Sequence, residues 1–139
     1  MNSSTTLDRR PDGDLYSPMQ MNLQAVRNPV DVMFRAFSDR TRLRILSLLQ
    51  RGELCVCTLV GVIGAPQPKI SRHLGYLRKA GLVTARKDKM WSYYSLAPAR
   101  NTFHQKLLEC LKTCFKDVPE MARDAAKLGG ACGPACCDE

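Results

Sequence analysis

The segment from residue 54 to residue 79 constrains the fold most, because it contains two short helical patterns separated by a tight break. The first pattern covers residues 54–63, and the break after it contains a glycine and a proline, which interrupt helices. The second pattern begins near Pro68 and repeats apolar residues at the spacing of one buried helix face. These apolar residues are Ile70, Leu74 and Leu77. Two short helices joined in this way are typical of a helix-turn-helix, whose second helix can enter a DNA major groove.

The outward face of this second helix is basic and polar. Basic side chains can neutralise phosphates or reach guanine edges, while polar side chains can read bases or fix the register. A charged helix face is often merely solvated, but the formal net charge of the chain is +8, which favours an anionic partner. We therefore expect this face to bind double-stranded DNA. The side chains concerned are Gln67, Lys69, Ser71, Arg72, His73, Tyr76 and Arg78.

Two β-prone runs, residues 82–86 and 91–96, follow the second helix and flank a short basic stretch. This pattern predicts a β-hairpin. A basic hairpin directly after a basic helix is typical of the wing of a winged helix-turn-helix. We expect Lys87 and Lys89 at the tip of this hairpin to contact DNA as well.

Apolar stripes at helical spacing predict further helices on both sides of this region. Pro29 can open one helix, and Ser38 with Asp39 can cap another that ends at Gly52. A last helix, about residues 99–117, carries an apolar stripe, and so much apolar surface on a terminal helix predicts a dimer interface. The stripe consists of Phe103, Leu107, Cys110 and Cys114. The expected fold class is mainly α with a small β-hairpin, as a homodimeric winged helix-turn-helix.

Composition divides the chain into three parts. Residues 1–24 are polar and contain prolines without an apolar period, which indicates a flexible arm. Residues 25–119 hold the winged helix-turn-helix and the dimer helix, and residues 120–139 form a Cys-rich C-terminal tail. No apolar run reaches the ~20 residues that span a bilayer, and no secretory pattern is present. We therefore expect a cytoplasmic protein without a membrane partner.

The seven cysteines are expected to be reduced in that compartment, and therefore to act as ligands or reactive thiols rather than as structural disulfides. Cys55 and Cys57 are two residues apart, and at ~100° per residue in a helix their side chains point ~200° apart. Binding one ion through both thiolates would therefore unwind the start of the first helix of the helix-turn-helix. This unwinding would give ion binding a route to the release of DNA.

The other five cysteines are candidate further ligands. Cys110 and Cys114 share a helix face, although free cysteines on an apolar stripe more often pack in a core. Cys132, Cys136 and Cys137 form a C-terminal thiol cluster that can hold an ion or pass it to the inner pair. Thiolates are soft ligands, which favours arsenite, antimonite, Cd²⁺, Pb²⁺ or Zn²⁺ over Mg²⁺ or Ca²⁺.

Three motifs resemble those of the ArsR/SmtB metalloregulators: AFSDRTRLRIL at residues 36–46, ELCVC at residues 53–57 and QPKISRHL at residues 67–74. The ELCVC motif is similar to that of the arsenite-responsive members. The resemblance implies a winged-helix homodimer that binds an inverted-repeat operator when metal-free and represses an arsenic-resistance operon. Arsenite or antimonite then acts as the inducer by binding the Cys55 and Cys57 thiolates, and no organic cofactor is expected.

Two positions depart from the pattern of this family. Many arsenite-responsive members carry a third cysteine three residues after the second, where this chain has Val60. A third thiolate must therefore come from elsewhere, or an external ligand must take its place. A glycine is also common at the wing turn, where this chain has Asp88 and Lys89, so the wing geometry stays open.

Other functions stay open to different degrees. A Cd/Pb/Zn sensor or a thiol-redox switch of the same fold remains an alternative, because ligand type does not fix the ion. A thiol metal-buffer protein would explain the Cys-rich tail but not the basic helix and hairpin. An enzyme is not expected, since the chain has no Cys-x5-Arg loop, no Cys-x-x-Cys pair and no glycine-rich phosphate loop.

Overall fold

The computed structural model describes residues 29–130, which form six α-helices and three β-strands. The helices are α1 (Pro29–Phe37), α2 (Arg40–Leu49), α3 (Val56–Ile63), α4 (Gln67–Lys79), α5 (Thr102–Cys114) and α6 (Pro119–Gly130). The strands are β1 (Leu54–Cys55), β2 (Val83–Asp88) and β3 (Trp91–Leu96). A mainly helical chain with one small sheet confirms the predicted architecture of a single protomer.

The core lies where the apolar stripes of α2, α3 and α4 meet. Leu46, Leu59 and Leu74, one from each of these helices, are each 0% exposed. The stripe predicted for α4 is confirmed, because Ile70 and Leu77 are fully buried together with Leu74. Burial of one leucine-sized side chain contributes roughly 1.5–3 kcal/mol, so these contacts fix α4 against its two neighbours.

The turn between α3 and α4 has the predicted helix breakers at its ends. Gly64 ends α3 with a φ of 80°, which glycine adopts without steric cost, and its N–H donates to the Val60 carbonyl over 2.8 Å. Pro66 is the N-cap of α4, and Pro68 lies in the first turn, where its missing N–H breaks no helical hydrogen bond. The segment is therefore a helix-turn-helix.

The strands β2 and β3 form an antiparallel hairpin, which confirms the predicted wing. Val83 pairs with Leu96 at the open end, and Asp88 pairs with Trp91 next to the turn. The hairpin follows α4 directly in the chain and shares its basic character at the tip.

A third strand, which the sequence analysis did not predict, completes the sheet. In β1, Leu54 pairs with Tyr94 and Cys55 pairs with Tyr93, so the strand order is β1-β3-β2. A strand of two residues shows no alternation that a sequence pattern can reveal. Because these residues belong to the sheet, α3 begins at Val56 rather than at residue 54.

Two helices follow the sheet. Asn101 caps α5 by accepting a hydrogen bond from the His104 N–H over 2.8 Å. Helix α6 occupies the first part of the segment predicted as a tail, and its residues Met121 and Asp124 are buried. The three-part division stays a prediction, since residues 1–28 and 131–139 lie outside the described residues. None of the described helices has both the length and the apolar character needed to cross a bilayer.

Candidate nucleic-acid interface and thiol site

The open face of α4 exposes most of the side chains that the sequence analysis assigned to DNA. Those exposed are Gln67, Lys69, Ser71, Arg72 and Arg78. Within residues 29–130, the three basic side chains of this set form no ion pair. Their charges are therefore available to an anionic partner, and neutralising phosphates with such side chains releases counterions from DNA.

His73 and Tyr76 lie on the side of α4 that faces α2, not on its open face. The side chain of His73 is 14% exposed, and its Nδ1 lies 3.4 Å from Nη1 of Arg42. The Arg42 guanidinium also lies over the ring of Tyr76, 4.1 Å from its centroid. These two side chains thus contact the scaffold behind the helix, and a role for them in DNA binding stays a prediction.

Arg42 connects three helices, although no sequence pattern singled it out. Its Nε donates to the Ala36 carbonyl over 3.0 Å, and its Nη2 donates to the Arg35 carbonyl over 2.9 Å. These carbonyls belong to the last turn of α1, where acceptors lack helical partners. Arg42 itself lies on α2 and contacts α4, so one guanidinium sets the spacing of all three helices.

Asp39 completes this cluster at the N-terminus of α2. Its carboxylate accepts a hydrogen bond from the Arg42 N–H over 3.0 Å and lies 3.9 Å from Nδ1 of His73. Burial raises the pKa of Asp39, but this hydrogen bond and the charges of His73 and Arg42 outweigh burial and hold the pKa below its usual value. Burial lowers the pKa of His73. The charge of Asp39 raises this pKa, but nearby cations, led by Arg42, lower it further, and the net shift is downward. The imidazole is therefore mainly neutral at pH 7.

The wing tip presents its lysines to solvent. Lys87 and Lys89 are both exposed, and Met90 beside them is 78% exposed. Lys89 has a φ of 59°, the left-handed conformation that glycine adopts without strain. In this turn a lysine therefore occupies the left-handed position where a glycine would be unstrained, at a steric cost of roughly 1–2 kcal/mol.

Arg86 of the wing is engaged within the chain. Its Nε and Nη2 each donate to the Glu53 carboxylate over 2.8 Å, and its guanidinium lies 4.6 Å from the centroid of the Tyr93 ring. The hydrogen bond from Arg86 lowers the pKa of Glu53 below its usual value. Because Glu53 immediately precedes β1, this bidentate pair ties the wing to the segment that leads into the cysteine pair.

The sulfurs of Cys55 and Cys57 lie 3.0 Å apart. Cys55 is the extended N-cap of α3, with φ −75° and ψ 150°, and only Cys57 lies within the helix. The expectation that binding one ion requires unwinding of the helix is therefore wrong, because the helix begins at Val56, after the first cysteine. Cys55 is 3% exposed and Cys57 is half-buried.

This pair fits a soft ion with little rearrangement. A tetrahedral centre with metal–sulfur bonds of about 2.3 Å holds its sulfurs about 3.8 Å apart, so the pair needs to open by less than about 1 Å. Cys57 is disulfide-bonded in this structure, so its use as a ligand requires reduction first. In the part of the chain that the structure describes, no group of three or more His, Cys, Asp or Glu side chains is placed to hold a metal ion.

The cysteine pair lies where the helix-turn-helix meets the wing. Cys55 pairs with Tyr93 of β3, and β3 is a strand of the wing hairpin. Cys57 lies in the first turn of α3, whose Leu59 packs in the same core as Leu74 of α4. A change in the spacing of the two sulfurs therefore acts on both the wing and the helix α4.

Cys110 and Cys114 lie one turn apart on α5. Cys110 is half-buried and Cys114 is exposed, so core packing does not account for Cys114. The hydrogen bond with Cys114 raises the pKa of Cys110, while the hydrogen bonds with Thr113 and then Cys110 lower the pKa of Cys114. The remaining candidate ligands lie outside the described residues: Cys132, Cys136 and Cys137.

Residues 39–85 match the family described as "Bacterial regulatory protein, arsR family". The arsenical resistance operon repressor of Escherichia coli K12 is 39% identical over 97 residues, which is 68% of this chain and 83% of that protein. The cadmium resistance transcriptional regulatory protein CadC of Listeria innocua is 39% identical over 66 residues, which is 47% of this chain and 56% of that protein.

A solved structure shares the fold. The crystal structure of the transcriptional repressor BigR from Xylella fastidiosa superposes with a TM-score of 0.54 at 31% identity, covering 72% of this chain and 97% of that one. By their names, these similar proteins are transcription regulators and not enzymes.

Proposed function

Since this chain belongs to the arsR family of bacterial regulatory proteins and is no enzyme, we propose that it is a transcriptional repressor whose inducer is arsenite or antimonite. The metal-free protein binds operator DNA through α4 and the wing. The thiolates of Cys55 and Cys57 bind the inducer, and the DNA is released. The observation that carries this proposal is the 3.0 Å approach of the two sulfurs at the junction of α3 and the sheet.

The DNA-binding half of the proposal depends on the unpaired cations of α4. Lys69, Arg72 and Arg78 are exposed on one helix whose opposite face is locked in the core. Phosphate contacts from such side chains supply affinity, and neighbouring polar groups on the same face supply base contacts. Lys87 and Lys89 extend the basic surface to the wing tip.

The choice of inducer follows from the ligand type and from the relatives. Sulfur ligands prefer soft ions, and trivalent arsenic and antimony are soft. The Escherichia coli relative, which matches more than two thirds of this chain, is named for arsenical resistance, and this name favours arsenic among the soft ions. Arsenite and antimonite are therefore proposed ahead of the divalent ions.

Release follows from what the two cysteines are attached to. An ion that opens the sulfur pair shifts Cys55 in β1 against Tyr93, and β1 is tethered to the wing by Glu53 and Arg86 as well. The same change shifts Cys57 at the start of α3. Wing and α4 must keep a fixed relation to engage one stretch of DNA, so a small shift at their shared junction lowers operator affinity.

The repressor acts as a homodimer in this proposal. On α1, Val30 is 41% exposed and Phe34 is 55% exposed, and Phe34 lies edge-to-face against Phe103 of α5 at 5.4 Å between ring centroids. An apolar surface shared by two helices is best covered by a second copy. A two-fold dimer also presents two α4 helices to an inverted-repeat operator.

A second candidate function has observations of its own. The cadmium regulator among the relatives favours a Cd²⁺, Pb²⁺ or Zn²⁺ inducer, and the disulfide at Cys57 favours a thiol-redox switch. A thiol metal buffer leaves the exposed cations of α4 unexplained.

A release titration tests these alternatives. The reduced full-length protein is bound to a fluorescent operator duplex, and anisotropy is followed while arsenite, antimonite, Cd²⁺, Zn²⁺ or peroxide is added. We expect release at the lowest concentration with arsenite or antimonite. Release by Cd²⁺ alone, or by peroxide alone, would replace the arsenic proposal with the corresponding alternative.

The same titration on cysteine variants tests the site. Cys55→Ser and Cys57→Ser are each expected to bind the operator normally and to ignore arsenite, because both thiolates are needed. The matched control is the double variant Cys110→Ser, Cys114→Ser, which is expected to respond like the wild type. Full arsenite release from the Cys55→Ser, Cys57→Ser double variant contradicts the proposal.

A further inference from the structure

A cleft of about 430 Å³ lies between α2, α5 and α6. Its lining comes from residues 47–51 at the end of α2, residues 111–116 at the end of α5 and residues 121–125 of α6. None of these residues belongs to β1, α3, α4 or the wing, so the cleft is separate from the cysteine pair and from the basic face of α4. Ligand clefts in proteins typically enclose ~300–1,000 Å³, so this one has the size of a small-molecule site.

Helix α6 forms one wall of the cleft and is fixed to α2 by a nearly buried ion pair. Nε and Nη2 of Arg44 on α2 each donate to the Asp124 carboxylate over 2.8 Å. A bidentate pair fixes orientation as well as distance. In the first turn of α6, the Glu120 carboxylate also lies 3.0 Å from Nε of Arg40. The wall is therefore preformed, and a preformed site loses less entropy when a ligand binds.

The floor of the cleft is apolar and consists of Leu48, Leu111, Phe115 and Met121. Three of these side chains are buried, and that of Phe115 is half-buried. Gln50 adds a neutral polar group to the lining, and its Nε2 donates to the Leu108 carbonyl over 3.4 Å. An apolar body can therefore be covered here, while a small number of polar groups sets its orientation.

The charged members of the lining are all basic: Arg51, Lys112 and Lys116. All three are exposed, and within residues 29–130 none of them forms an ion pair. The carboxylates of Glu120 and Asp124 are paired with arginines of α2 instead. A helix C-terminus attracts cations, which accounts for basic residues at the ends of α2 and α5 but not for the apolar floor between them. The lining as a whole is complementary to an anion that has an apolar body.

We propose that this cleft binds a small organic anion with an apolar body and one carboxylate. The body lies on the floor formed by Leu48, Leu111 and Met121. The carboxylate accepts charge-assisted hydrogen bonds from the basic side chains of the lining. This inference goes beyond the proposed function and does not depend on it, because no residue of the cleft takes part in the proposed binding of inducer or operator.

Calorimetric titration of the reduced full-length protein tests the class of ligand. Three probes separate the two parts of the anion. Naphthoate has both parts, naphthalenemethanol has the apolar body without the charge, and acetate has the charge without the body. We expect naphthoate to bind roughly tenfold more tightly than either of the others. No binding of naphthoate, or equal binding of naphthoate and the neutral alcohol, would overturn the proposal.

Methionine methyl NMR locates the bound probe. Met121 lines the cleft, whereas Met33 on α1 and Met90 at the wing tip do not. We expect naphthoate to shift the methyl signal of Met121 and to leave those of Met33 and Met90 in place. A shift of Met33 without Met121 would place the probe at the exposed apolar surface of α1 and overturn the proposal.

Two variants test the lining. Lys112→Gln, Lys116→Gln is expected to raise the Kd of naphthoate roughly tenfold and to leave that of naphthalenemethanol unchanged. Lys106→Gln, at an exposed lysine of α5 that does not line the cleft, is the matched control. Ala122→Trp puts a large side chain at an exposed position of the lining and should block naphthoate. Unchanged naphthoate affinity in the lysine variant overturns the proposal, and this result holds even if Ala122→Trp does not fold.

Discussion

The guanidinium of Arg42 lies 4.1 Å from the ring centroid of Tyr76. This contact joins α2 to α4 on the side away from the exposed cations. The same guanidinium binds two carbonyls at the end of α1, a helix that carries exposed apolar side chains. The orientation of α4 is therefore linked to the surface proposed for dimerisation through one side chain.

Arg42→Lys is expected to weaken operator binding roughly fivefold, equivalent to about 1 kcal/mol, while keeping the charge of the chain. A lysine cannot bind two carbonyls and cover Tyr76 at the same time. Anisotropy titrations with operator and with unrelated duplex measure the effect, which should appear for the operator only. An equal loss for both duplexes, or no loss, would contradict a positioning role for Arg42.

Arg72→Ala and Arg78→Ala are expected to weaken operator binding without changing the oligomeric state. A lost base contact costs roughly 1–3 kcal/mol, whereas a lost phosphate contact lowers the salt slope of binding by about 1. Affinity is measured at a series of salt concentrations. Arg51→Ala, at an exposed arginine just after α2, is the control. Unchanged affinity and slope in both α4 variants would remove α4 from the interface.

Phe34→Ala is expected to weaken dimerisation more than it destabilises the fold, because this side chain is 55% exposed in a single chain. Loss of an aromatic contact at the centre of an interface costs about 2 kcal/mol or more, which is roughly a thirtyfold change in dissociation constant. Sedimentation equilibrium measures it. Met90→Ala removes an equally prominent apolar side chain from the wing tip and should leave the dimer intact. A wild-type dimer for Phe34→Ala would argue against the α1 and α5 surface.

The stability of the fold is expected to fall as the pH drops below about 6.5, the usual pKa of histidine. His104 is 0% exposed, and burial, followed by the charge of Arg100, lowers its pKa in the folded chain. Between the folded and the unfolded pKa, the unfolded chain binds more protons than the folded one. The free energy of unfolding therefore decreases as the pH falls, until the pH is below the folded pKa.

Urea unfolding at pH 7.5 and pH 5.5 measures this dependence. The pKa of His73 is also lowered in the folded chain, so His73 would contribute to the same pH dependence. The single variant His73→Gln is therefore compared with the double variant His73→Gln, His104→Gln. The second protein should show the smaller difference between the two pH values. An equal difference would mean that His104 does not cause the dependence.

The sequence predicted the parts of this fold that depend on residues close together in the chain. Ile70, Leu74 and Leu77 share one helix face, and Gly64 with Pro66 marks the turn, so the helix-turn-helix and wing follow from short-range rules. Arg42 and its partners were missed, because Tyr76 lies 34 residues away and no local rule pairs them. The position of Cys55 was missed for a related reason: it depends on pairing with Tyr93, far along the chain.

The pairing of β1 with β3 also gives this protein a built-in optical reporter. Trp91 is the single tryptophan of the chain, and it lies on the same strand as Tyr93, two residues from the partner of Cys55. Its indole is half-buried, a position in which emission responds to small changes in the surrounding polarity. Events at the cysteine pair can therefore be followed by intrinsic fluorescence, without attaching a dye or altering any residue.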